Sequence, residues 1–112
     1  GAKAQVVSGD DALTVPTIAM GGSGVISVAS NVCPAYVSNM TRCALDGDFD
    51  KARQMQLAIL PLISALFCEV NPIPVKTAMH SLGFCLPRMR LPLTEMVSKN
   101  AKRLNDLLRD FV

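Results

Sequence analysis

Two kinds of hydrophobic spacing divide this chain near residue 47. Before it, short β-branched runs alternate with helical spacing; after it, only helical spacing remains. Ala4-Gln5-Val6-Val7 reads as a strand and runs into Ser8-Gly9-Asp10-Asp11. Leu13, Val15, Ile18 and Ala19 then recur at helical intervals, predicting a helix over 11–20, with Pro16 early enough to be tolerated. Gly21-Gly22-Ser23-Gly24 ends that helix, and Gly24-Val25-Ile26-Ser27-Val28 predicts a second strand. A strand–helix–strand unit this short requires the two strands to be parallel.

Ala29-Ser30-Asn31 is expected to be a short loop leading to Pro34, which suits the first turn of a helix. Val37, Met40, Cys43 and Ala44 mark that helix's buried face, and Gly47 stops it. Asp48 is the expected N-cap of a long helix carrying Phe49, Ala52, Met55, Ile59, Ile63, Leu66 and Phe67, with a kink at Pro61. Asn71-Pro72-Ile73-Pro74 breaks the chain, and a shorter helix runs to Leu82 before Gly83. Thr94 is expected to cap a last helix with Val97, Ala101, Leu104, Leu108 and Phe111 on one face. The reading is an α/β unit over 1–47 and a three-helix unit over 48–112. Parallel strands need neighbours on both sides and cover on both faces, and no third strand is legible. The chain is therefore expected to be a piece from the end of a larger α/β protein.

Composition sharpens that expectation. Half of the 112 residues are apolar and only 18% are charged, more apolar than a small independent surface needs. The surplus calls for cover by further chain or by partner subunits. A net charge of +2, with basic residues interleaved among Asn, Leu and Asp, gives no nucleic-acid footprint. Cys33, Cys43, Cys68 and Cys85 are scattered without a CxxC, as reduced thiols of a cytoplasmic protein would be. No unbroken apolar run is long enough to span a membrane, and the start has no signal-peptide pattern.

Individual residues offer several chemistries. Asp10-Asp11 could be metal ligands or acid/base carboxylates, although capping the next helix accounts for them more simply. Gly9 stands at the C-terminal end of a parallel strand, where α/β folds place ligands; it is equally an ordinary turn glycine. Gly21-Gly22-Ser23-Gly24 lies between a helix and a strand, the reverse of a phosphate loop's order. His80 has no visible Ser, Cys or carboxylate partner, so packing or a surface position is expected. Lys76 could be a nucleophile but reads as an ordinary lysine early in a helix. These residues by themselves leave the function open.

Several segments, in order, resemble one family. Val7-Ser8-Gly9-Asp10-Asp11-Ala12-Leu13-Thr14, Gly21 to Val28, Asn31-Val32, Asn71-Pro72-Ile73-Pro74-Val75-Lys76 and Leu91-Pro92-Leu93-Thr94 are similar to the end of the dihydrodipicolinate (4-hydroxy-tetrahydrodipicolinate) synthases. The related N-acetylneuraminate lyases and sugar-acid aldolases share the fold, but the Asn-Pro-Ile-Pro-Val-Lys run looks like the synthase branch.

The resemblance implies a fold and a reaction. The segments over 4–7 and 24–28 would be strands seven and eight of a (β/α)8 TIM barrel, followed by a three-helix C-terminal domain. The family condenses pyruvate with aspartate semialdehyde on the route to lysine and diaminopimelate. A strand-six lysine forms a Schiff base with pyruvate, and no added cofactor or metal is expected. That lysine, the proton relay, the carboxylate-binding arginine and the lysine-feedback site would all precede Gly1, so no catalytic residue is expected here. Gly9 and Ile26 match the family's pyruvate-site residues. The implied partners are the two substrates and further copies of the chain in a homotetramer, a dimer of dimers. A paralogous pyruvate-dependent aldolase or lyase, or a non-catalytic assembly module, are the alternative readings.

Overall fold

The computed structural model describes residues 4–112, so the first three residues of the expected 1–47 unit lie outside the described residues. Strands β1 (Val7–Ser8) and β2 (Gly24–Val25) pair in parallel, with Val7 opposite Gly24 and Ser8 opposite Val25. Between them a 3-10 turn, Asp11–Leu13, runs directly into helix α1, Thr14–Ala19. The βαβ reading is what forms, with shorter strands than the sequence suggests. Backbone bonds continue the pairing at both ends: Ser23 N–H donates to the Val6 carbonyl at 2.7 Å and Ile26 N–H to the Ser8 carbonyl at 2.8 Å. Beyond Ile26 the chain leaves the strand, and the Asp11 side chain binds it there.

The expected loop at 29–31 is a 3-10 turn, Ala29–Asn31, and helix α2 follows over Pro34–Leu45. Val37, Met40 and Ala44 bury as their spacing predicts, while Cys43 is half-buried. Gly47 ends the helix with φ +84°, a left-handed conformation that glycine adopts without a Cβ penalty. Helix α3, Phe49–Leu66, starts at Asp48, whose carboxylate accepts from Lys51 N–H at 3.3 Å, and it runs on through Pro61. Ala52, Ile59, Leu62, Ile63 and Leu66 form its buried stripe. Phe49 and Phe67, expected on that stripe, are instead exposed at its two ends.

Helix α4, Ile73–Ser81, ends before Gly83 as expected. The last helix, α5, differs: it begins at Ser98, four residues after Thr94, and covers Ser98–Leu108. A cap supplied from elsewhere sets its start. Glu69, just past the end of α3, accepts from Val97 N–H at 3.2 Å and from the Asn100 side-chain amide at 2.9 Å. A distant carboxylate thus does the work assigned to a local hydroxyl. One continuous core joins α1, α2, α3, α4 and α5, centred on Met40, Ile59, Leu62, Leu66 and Leu104.

Candidate functional site

The carboxyl ends of β1 and β2 bring two sequence-selected residues together. Continuing the parallel register by one step sets Gly9 opposite Ile26. Both are exposed, Ile26 by 73%. A Cβ built on Gly9 would meet nothing within 4 Å. The fold therefore does not itself require glycine there, and its φ is not left-handed. Beside Gly9 lies an open cleft of about 360 Å³ lined by Gly9, Asp10, Ile63, Ser64 and Phe67, so α3 forms its far wall.

Each of the two residues is flanked by short side-chain braces. Ser8 Oγ donates to the Asp10 carbonyl at 2.6 Å and accepts from Asp10 N–H at 3.1 Å, closing a tight turn around Gly9. Asp10 then caps the 3-10 turn, its Oδ1 accepting from Ala12 N–H at 3.0 Å. Of the two adjacent aspartates, Asp10 alone behaves as the local cap.

Asp11 does something its position in the sequence does not announce. It is 3% exposed, and its carboxylate crosses to the segment after Ile26. There it accepts from Ser27 Oγ, from Val28 N–H at 2.9 Å and from Ala29 N–H at 3.1 Å. Ser27 Oγ in turn accepts from Ser30 N–H at 2.9 Å. The buried carboxylate thus satisfies the N–H groups that open the second 3-10 turn. Gln56, on α3 and also buried, completes the arrangement. Its Nε2 donates to the Asp11 carbonyl at 3.1 Å and its Oε1 accepts from Val15 N–H at 3.0 Å.

Cys33 lies close by and is sealed, 2% exposed, its thiol donating to the Ala29 carbonyl at 3.4 Å. Burial, and secondarily the charge of Asp11, push its thiol up to about 11, so it stays protonated at neutral pH. It is not a nucleophile.

The remaining candidates belong elsewhere. The Gly21-Gly22-Ser23-Gly24 run is the turn from α1 to β2, with Gly22 N–H donating to the Thr17 carbonyl at 2.9 Å. His80 is exposed on α4, its Nδ1 2.8 Å from the Cys85 carbonyl. Lys76 is half-buried on the same helix. Among the described residues no group of three or more His, Cys, Asp or Glu is arranged to hold a metal ion, and no helix is long and apolar enough to cross a membrane. Sequence reading singled out Asp11 only as a cap or carboxylate beside Asp10, and it missed Ser27 and Gln56. A polar glutamine among the apolar residues of α3 is the signal that could have flagged Gln56.

Comparison with known proteins places this chain in a family. The profile of the dihydrodipicolinate synthetase family matches residues 1–111. The 4-hydroxy-tetrahydrodipicolinate synthase of Thermomicrobium roseum is 51% identical over 104 residues, which are 93% of this chain and 34% of that protein. That of Aquifex aeolicus is 50% identical over 106 residues, 95% of this chain and 36% of that protein. The crystal structure of the Aquifex aeolicus dihydrodipicolinate synthase superposes with a TM-score of 0.94 at 49% identity, covering 99% of this chain and 38% of that one. The Thermotoga maritima dihydrodipicolinate synthase gives a TM-score of 0.92 at 39% identity, covering 95% of this chain and 36% of that one. The chain spans roughly a third of the length of the curated relatives it matches. With sequence, family profile and fold in agreement over almost every residue, this chain belongs to the dihydrodipicolinate synthetase family.

Proposed function

We propose that this chain is the part of a 4-hydroxy-tetrahydrodipicolinate synthase that carries the last two barrel strands and the C-terminal helical domain. On this reading residues 1–47 end a (β/α)8 barrel, with β1 and β2 as strands seven and eight, and residues 48–112 form the appended domain. Gly9 and Ile26 line the pyruvate site at the barrel's mouth. The observation that carries the reading is their juxtaposition at the carboxyl ends of two parallel strands, where barrel enzymes build their sites. Gly9 leaves room for the keto acid, and Ile26 supplies backbone and wall.

The chemistry is a class I aldolase-type condensation performed in the whole enzyme. An amine outside this chain forms an imine with pyruvate. The iminium draws electrons from the adjacent methyl carbon, which loses a proton and attacks the aldehyde of aspartate semialdehyde. The residues described here shape the pocket and transfer no proton. The whole enzyme acts in the cytoplasm as a homotetramer, a dimer of dimers. An uncovered apolar hollow lined by Val6, Leu13, Pro16, Thr17 and Met20, with Met20 90% exposed, supports burial against further chain or a second copy.

Replacing the corresponding segment of the Aquifex aeolicus synthase with this chain tests the reading. The chimera is expected to form a borohydride-trappable adduct with pyruvate and to turn over aspartate semialdehyde in preference to sugar acids. The 112-residue chain alone is expected to form no adduct. A folded chimera without the adduct, or a specific adduct on the isolated chain, would overturn it.

A further inference from the structure

We propose that Asp11, held in turn by Gln56, is the positioning residue that fixes Gly9 and Ile26 for keto-acid binding. The inference rests on the pyruvate-site reading above.

The two lining residues sit at the ends of separate strands. Ile26 is tied to the neighbouring strand through its N–H to the Ser8 carbonyl at 2.8 Å, and Gly9 lies one residue beyond β1. Immediately after Ile26 the chain turns away into the second 3-10 turn, beyond the strand pairing. Asp11 ties it there. It lies two residues after Gly9 and binds the three residues Ser27, Val28 and Ala29 that begin one residue after Ile26. One buried carboxylate therefore ties the exits of both strands to each other. Charge-assisted bonds to N–H and hydroxyl donors are among the strongest a protein makes, and removal of the acceptor leaves buried donors unpaired.

Asp11 is itself held from outside the strand pair. Its carbonyl accepts from Gln56 and from Thr14 Oγ1 at 3.0 Å, and Gln56 also binds Val15 N–H. The main chain of Asp11 is thus bolted to α3, while its side chain reaches the rim. Positions that must hold a small ligand within fractions of an ångström need this kind of support behind them. The supporting helix is expected to influence substrate affinity although none of its bonds touches Gly9 or Ile26.

The test uses the chimera just described. Asp11→Asn keeps the volume but removes one acceptor and the charge. It is expected to raise KM for pyruvate about tenfold, with kcat and KM for the aldehyde changed less than about twofold. Amide exchange at Val28 and Ala29 is expected to accelerate. Gln56→Leu is expected to raise the same KM by about threefold, through the carbonyl of Asp11. If Asp11→Asn fails to fold, Ser27→Ala decides, with an expected rise of about threefold in KM for pyruvate. A purely structural role predicts less folded protein with an unchanged KM. That result in a folded Asp11→Asn or Ser27→Ala protein overturns this inference alone. A starting chimera that forms no imine removes the pyruvate-site reading and the inference with it.

Discussion

Tyr36 and Phe111 meet edge to face, with ring centroids 4.8 Å apart and planes at 90°. The contact joins α2 to the residues just beyond α5, and Tyr36 Oη also donates to the Met55 carbonyl on α3 at 2.8 Å. One side chain therefore pins three separate segments. Perpendicular aromatic pairs contribute about 0.5–1.5 kcal/mol beyond their buried area. A double-mutant cycle with Tyr36→Leu and Phe111→Leu is expected to return a coupling energy in that range by urea unfolding. Tyr36→Phe, which keeps the ring, is expected to lose about 1 kcal/mol through the Met55 bond alone.

Glu69 holds the start of α5 from a distance. Substitution by Ala leaves Val97 N–H and the Asn100 amide without their acceptor. The cost expected is about 1 kcal/mol, the usual penalty for a lost N-cap. Substitution of Thr94, whose side chain caps nothing in the structure, is expected to change stability by less than about 0.5 kcal/mol. A larger effect at Thr94 than at Glu69 would contradict the observed capping.

Burial of Cys33 makes stability depend on pH in the alkaline range. Its thiol pKa rises from 9.0 to about 11 on folding. The folded state therefore holds the proton where the unfolded chain has released it. The contribution is complete below pH 9 and is lost progressively as pH rises toward 11. Comparison of urea midpoints for the wild-type chain and Cys33→Ala isolates this residue from other groups that titrate there. The wild-type chain is expected to lose stability relative to the variant across that window. In the native state Cys33 is also expected to resist thiol reagents at pH 8 while exposed Cys68 reacts.

Gly9 and Gly22 should respond oppositely to the same change. A Cβ on Gly22 would lie 2.7 Å from both Thr17 Cγ2 and the Thr17 carbonyl oxygen. The carbonyl cannot move aside without disturbing the turn into β2. Gly22→Ala is expected to cost about 1–3 kcal/mol. Gly9→Ala adds its methyl to open space and is expected to change stability by less than about 0.5 kcal/mol. In the chimera, however, Gly9→Ala is expected to raise KM for pyruvate if, as proposed, the space that it fills is the ligand's.

Local patterns made much of this architecture legible. β-branched runs around a helical stretch indicated a parallel pair, whereas Ile26 was singled out only by the family resemblance, and its place opposite Gly9 follows from the register seen in the structure. Pro34, Gly47, Asp48 and Gly83 each punctuate a helix where local chemistry says they should. The departures share a cause: bonds between residues far apart in sequence. The last helix starts at Ser98, where Glu69 reaches it, and residues 27–29 after β2 are held by Asp11. Asp10 and Asp11 look equivalent in the sequence, yet one caps its own turn and the other spans to a different segment. Spacing encodes which face a residue occupies; it does not encode what that face will meet.

Gln56 offers its amide nitrogen to one main-chain group and its oxygen to another, 45 and 41 residues away along the chain. A carboxylate could not donate, an ammonium could not accept, and asparagine would fall short of both. Genetic exchange among family members is thus constrained: crossovers between positions 11 and 56 can separate a helix from the turn whose shape it recognises. Breakpoints outside that interval inherit the lock and its key together.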